Sequence, residues 1–330
     1  MDAWLPLIFM GLMALAMLVY VVLDGYDLGV GILVPFADGP GKDRMVASIG
    51  PFWDANETWL VLGVGLLLVA FPVAHGVILG ALYLPVLVML LGLILRGVAF
   101  DFRAKAHDEH RVLWNAAFSV GSLAAALAQG YMVGRYVVGF EPGLVPVLFA
   151  LFIGLCLAAG YTLLGATWLL LKMEGPLVRQ AAGWGWWALW LTGLGIAAVS
   201  VATPFVSPRI FEKWFALPNF FLLMPVPLLT AGLFALCENN LRRIRRGGKG
   251  RDWVPFAAAI GMFVLAFAGL AYSVYPYLVI DRIEFWDAAA APGSLKIILV
   301  GALVTLPMII GYTIFAYRVF WGRSTELSYE

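Results

Sequence analysis

The stretch LDGYDLGVGILVP, Leu23–Pro35, places two carboxylates, Asp24 and Asp27, in a run that is otherwise apolar from Trp4 to Phe36. Its companion, PFWDANETW at Pro51–Trp59, sets Asp54, Asn56 and Glu57 at the mouth of the next apolar run. A carboxylate at membrane depth is costly, so it normally turns to the interior of a bundle and serves an ion, a proton or a structural partner. Four acids at the adjoining ends of two such runs mark where the chemistry of the chain is to be sought.

Composition makes these runs membrane segments. The chain has 330 residues, of which 63% are hydrophobic and 12% charged, whereas soluble domains are about a quarter charged. Several apolar runs exceed the roughly 18 residues that cross a bilayer as helix. The fold class is therefore an all-α polytopic membrane protein, with residues 1–330 forming a single integral membrane domain. Neither a soluble domain nor a low-complexity tract interrupts it. The formal net charge of +1 points to no nucleic-acid partner. The opening Met1-Asp2-Ala3-Trp4 has no basic n-region and no small-residue cleavage site, so the first run is expected to stay as a helix and not to be removed as a signal peptide.

Nine segments are predicted, at roughly 4–36, 52–72, 76–98, 112–134, 144–171, 184–204, 217–237, 253–276 and 295–320. With the N-terminus outside, sixteen of the 21 basic residues fall on the inner side, including Arg96, Arg103 and the cluster RRIRRGGKGR at 242–251. Arg135, Arg209, Lys213, Arg282 and Lys296 remain outside. This bias fits the positive-inside rule and puts the C-terminus in the cytoplasm. A helix entering at Trp4 rises about 1.5 Å per residue, so Asp24 lies roughly 30 Å in, near the inner side. Asp54 and Glu57 start the return helix from that side, and Arg96, Asp101 and Arg103 end the third segment there.

Asp24 and Asp27 are three residues apart, as are Asp54 and Glu57, so each pair shares a helix face. Two readings stay open. The acids form a proton relay in a low-dielectric site, or Asp27 ties helices together by pairing with Arg96 or Arg103. Asp54 also suits an N-cap, with Glu57 at the capping-box position three residues on. Gly25 and Gly29 form a small-residue face that would let another helix come close. None of His75, His107 and His110 sits mid-helix, where an axial haem ligand is expected. Cys156 and Cys237 fall in different segments and read as buried thiols. The basic 242–251 loop reads first as a topology signal and second as a site for anionic lipid headgroups.

Taken together, four motifs resemble subunit II of the cytochrome bd-type quinol oxidases, including the cyanide-insensitive branch. LDGYDLGVGILVPF is similar to that family's first-helix motif, PFWDANETW to its second, LRGVAFDFR at 95–103 to its third-helix end, and FWDAAAAPGSL at 285–295 to the approach to its last helix. The sequence departs at Ala55, where the family usually has Gly, and at Tyr26, where Phe is common. The resemblance implies nine transmembrane helices as two four-helix bundles plus one peripheral helix. It implies a partner, subunit I, that carries haem b, haem d and the quinol site, with no haem ligated by this chain. A small single-helix accessory subunit, membrane lipids and a structural quinone or lipid are compatible with it. The implied activity is oxidation of quinol and reduction of dioxygen to water in the bacterial inner membrane, with protons taken from the cytoplasm. In that frame Asp54 matches the family carboxylate of proton uptake, Asp24 and Glu57 are further stations, and Asp27, Arg96, Asp101 and Arg103 form supporting ion pairs. A proton-coupled secondary transporter, with the Gly-rich first helix broken, is the rival reading.

Overall fold

A computed structural model of the chain describes residues 4–248 and 250–324, so residues 1–3 and Lys249 of the basic loop lie outside the described residues. The chain is almost entirely helical. Helix α1 covers Leu5–Leu33 and runs through a short 3-10 turn at Val34–Phe36 to α2, Gly39–Ala47. Then follow α3 (Trp53–Ala70), α4 (Pro72–Lys105), α5 (Asp108–Val137), α6 (Leu144–Lys172) and α7 (Pro176–Val206). Two short helices, α8 (Pro208–Phe215) and α9 (Asn219–Leu223), lead into α10 (Pro225–Arg245) and α11 (Trp253–Val274). A small antiparallel hairpin of β1 (Tyr277–Val279) and β2 (Ile283–Glu284), the turn α12 (Phe285–Ala288) and the final helix α13 (Pro292–Val319) complete it.

Eight of these helices are long and apolar enough to cross a membrane among the described residues, and α3 is not one of them. Its 18 residues open on Asp54, Asn56 and Glu57, which lower the apolar content of an already short helix. The predicted segments are otherwise all present, with different ends. The third, expected at 76–98, is Pro72–Lys105, and the sixth, expected at 184–204, is Pro176–Val206. Charged residues are good helix formers; Lys105 reaches water from the helix end and Arg103 finds a partner in Asp43, so the helix outlasts the apolar run. The seventh, expected at 217–237, is two pieces, α9 and α10, with Pro225 opening the second. A proline at the first helical position gives up an N–H that has no intrahelical partner anyway.

Helix packing brings α1 to the middle. It packs against α3, α5 and α6, with α5 also against α6; α7 and α11 pack on α6, α10 packs on α7 and α11, and α13 rests on α3 and α1. Gly29 makes the α1–α6 contact: a Cβ there would lie 1.8 Å from the Tyr161 carbonyl oxygen, and one on Gly165 would lie 2.3 Å from the Gly29 carbonyl carbon. The small-residue face expected from Gly25 and Gly29 thus packs on α6, Gly29 against its backbone and Gly25 against the Tyr161 ring. Gly92 of α4 and Gly121 of α5 make a second such contact. Close approach is what carries the polar residues of α1 away from lipid.

Candidate functional site: a buried acid cluster

Asp24 and Asp27 have no exposed surface at all, and Arg96 on α4 is 1% exposed. The guanidinium reaches α1 and α3 together: Arg96 Nη2 donates to Asp24 Oδ1 at 2.9 Å and to Glu57 Oε1 at 2.5 Å. Its guanidinium carbon stands 5.7 Å from the centre of the Trp53 ring, a stacking that suits arginine and not lysine. Asp24 Oδ2, Arg96 Nε and Arg96 Nη1 have no protein partner. Burying these charges is tolerable only because they neutralise one another, and removing either partner would leave an uncompensated charge.

Asp27 belongs to a second ring. Asn56, fully buried on α3, donates from Nδ2 to Asp27 Oδ2 at 2.7 Å and to the Tyr26 hydroxyl at 2.9 Å. The Tyr26 hydroxyl meets that of Tyr317 from α13 at 2.5 Å, and Tyr317 in turn donates to Asn56 Oδ1 at 3.3 Å. Asp27 Oδ1 has no partner. A third set lies one turn along α1, where Gln129 Nε2 donates to the Tyr20 hydroxyl at 2.7 Å and Tyr161 donates to Gln129 Oε1 at 2.7 Å. Two carboxyl groups, those of Asp24 and Glu57, therefore share one guanidinium, while Asp27 is held by an amide.

The expected supporting pairs are partly redistributed. Asp27 pairs with neither Arg96 nor Arg103. Arg96 is opposite Asp24, and Arg103 lies seven residues, about 10 Å, further along α4. Arg103 instead joins Asp43 of α2 and Asn115 Oδ1 of α5, with Arg111 Nη1 3.8 Å from the other Asp43 oxygen. Asp101 is exposed on α4 and makes no ion pair among the described residues. Asp54 is also exposed, one turn before Glu57, which is 30% exposed. The capping-box reading does not hold: the residue before α3 is Phe52, with no side-chain cap, and Glu57 turns to Arg96. Asn56, Tyr26, Tyr317, Tyr20, Gln129 and Tyr161 were missed as site residues. The available signal was an amide at the start of one apolar run and another inside a second.

No group of three His, Cys, Asp or Glu side chains suited to a metal occurs among the described residues. His75 is in the first turn of α4, His107 precedes α5 and His110 is in its first turn. Cys156 and Cys237 are free thiols.

Residues 5–320 match the family model of cytochrome bd terminal oxidase subunit II. The chain belongs to that family. Among its relatives, cytochrome bd ubiquinol oxidase subunit 2 of Bacillus subtilis is 26% identical, covering 98% of this chain and 96% of the relative. Cytochrome bd-I ubiquinol oxidase subunit 2 of Escherichia coli is 24% identical over 94% of this chain and 93% of its own length. The bd oxidase structure from Geobacillus thermodenitrificans has the same fold, with a TM-score of 0.72 at 17% identity over 96% of this chain and 98% of that one. As a subunit II family member, the chain is a multi-pass membrane component of an oxidoreductase complex and works with another oxidase subunit. The rival transporter reading loses its main support, since α1 is one unbroken helix through Gly25, Gly29 and Gly31.

Proposed function

We propose that this chain is the haem-free subunit of a bd-type oxidase that oxidises quinol and reduces dioxygen to water, and that its acids conduct protons from the cytoplasm toward the partner. Haems b and d and the quinol site belong to that partner, subunit I. The observation that carries the reading is the link from exposed Asp54, through partly buried Glu57 one turn on, to Arg96 and fully buried Asp24. An acid left exposed at the end of a membrane helix calls for a partner surface or a water path beside it. Asp54 supplies the entry, Glu57 and Asp24 the next stations, and Arg96 holds both carboxyls at a fixed spacing. Polar atoms without protein partners at Asp24, Asp27 and Arg96 give bridging waters something to bind at each step. Asp27, with an amide and no cation beside it, is a carboxyl adjoining the route and not a counter-ion.

The same proposal takes α3 as a ninth crossing, with the N-terminus outside and the C-terminus inside. Its support is the basic bias of alternate connections. The helix neighbours suit two four-helix bundles, α1, α3, α4, α5 and α6, α7, α10, α11, with α13 peripheral. An accessory single-helix subunit and a structural quinone or lipid are compatible with the apolar faces that remain.

The test is quinol-driven oxygen consumption by the purified complex carrying Asp54→Asn, with haem content measured alongside. Loss of turnover with full haem content is the expected result. Unchanged turnover would remove Asp54 from the route, and loss of haem together with activity would make it an assembly residue.

A further inference from the structure

We propose that the cleft between α7 and the C-terminal end of α10 binds the phosphate headgroup of an anionic phospholipid. The cleft is far from the acid cluster in sequence and uses none of its residues. It encloses about 320 Å³ and is lined by Trp186, Arg242, Arg245 and Arg246. The Arg245 guanidinium carbon lies 5.0 Å from the centre of the Trp186 ring, which builds one wall. Glu238 is the neighbouring acid, and it is already engaged: Arg242 Nη2 sits 2.6 Å from its Oε1, and Trp186 Nε1 donates to the same oxygen at 3.3 Å. Three guanidiniums thus face one carboxylate. Arg245 and Arg246 have no acid partner among the described residues. A fork of N–H donors with surplus positive charge is the chemistry that recognises phosphate.

The surroundings specify a lipid and not a free ion. From the cleft, the rings of Trp186 and Trp190 stand 6.3 Å apart, and Trp190 meets Phe234 of α10 at 5.1 Å, forming an aromatic stair along the α7–α10 seam. Trp187, Trp190, Leu191 and Leu236 are exposed beside it. Only 6% of the most apolar stretch of the span Asn219–Arg245, which α10 ends, is buried within the chain. Tryptophan and arginine together at a helix end are placed where headgroups lie.

The experiment uses the intact oxidase complex, stripped of lipid in detergent and titrated with phosphatidylglycerol, with phosphatidylcholine of the same chains, and with inorganic phosphate. Binding is read by native mass spectrometry and by the thermal midpoint. Wild type is expected to retain phosphatidylglycerol over phosphatidylcholine. Arg245→Gln/Arg246→Gln should weaken that retention about thirtyfold, while Arg243→Gln/Arg251→Gln, which removes the same charge outside the cleft, should leave it unchanged. If the first double variant fails to assemble with haem, Arg246→Gln alone should weaken binding about fivefold. Equal binding by the cleft variants, equal losses in both double variants, or full competition by inorganic phosphate would each overturn the assignment.

Discussion

Replacing Arg96 with methionine tests whether the acid cluster is an electrostatic unit. Among the described residues the guanidinium is the one cation in contact with Asp24 and Glu57, at 2.9 and 2.5 Å, and it is 1% exposed. Methionine has similar length and no charge, so packing is largely kept while Asp24 stays buried without a counter-ion. Removing one member of a buried pair costs about 3–5 kcal/mol. Arg96→Lys keeps a charge but loses the two-sided reach and most of the stacking on Trp53, and should cost about 1–2 kcal/mol. Arg96→Met/Asp24→Asn removes both charges of the fully buried pair, so it should be more stable than Arg96→Met alone, with a coupling of about 1–3 kcal/mol. The assay is unfolding of the purified complex in a denaturing detergent, with haem content as the measure of intact assembly. If Arg96→Met is as stable as wild type, or the double variant is no better than the single, the three side chains do not compensate one another and the reasoning fails.

Three further outcomes follow from particular contacts. Gly29→Ala puts a methyl against the Tyr161 carbonyl and should separate α1 from α6, seen as loss of folded complex, whereas Gly11→Ala, with nothing within 4 Å, should express normally. Gln129→Leu strips the Tyr20 and Tyr161 hydroxyls of their buried partner and should lower stability by about 1–3 kcal/mol, read in the same unfolding assay. Tyr317→Phe leaves Asn56 Oδ1 without a donor and should cost about 1 kcal/mol, and a variant indistinguishable from wild type would show that the Asp27 ring does not depend on α13.

Much of the core arrangement was legible because lipid allows few solutions. An acid in an apolar run must be paired or covered, and Asp24, Asp27, Glu57 and Arg96 do converge. Glycines three or four apart mark close helix contacts, and Gly25 and Gly29 make one. The pairing itself was not legible. Whether Arg96 meets Asp24 or Asp27 depends on the depth at which α4 stands beside α1, and residue spacing within one helix says nothing of its register against another. Asp101 illustrates the same gap: it lies between two arginines in sequence, yet the helical turn sends it to the exposed face. The short helices α2 and α8 escaped notice because each is too brief to show its period in an apolar background. Gln129 and Tyr161 were overlooked since an amide and a phenol look tolerable in isolation, and only the fold shows that each depends on the other.

The hydroxyl of Tyr317 also sets an order of events. In chain order α1 and α3 precede α13, so Tyr26 and Asn56 are synthesised before the side chain that completes their ring. While α13 is still inside the insertion machinery, the amide oxygen of Asn56 lacks the donor that Tyr317 later supplies. The final helix is peripheral in space, but it is the last stone of the arch. A chain that stops before Pro292 therefore leaves the Asn56 amide oxygen without the donor it finds in the folded subunit.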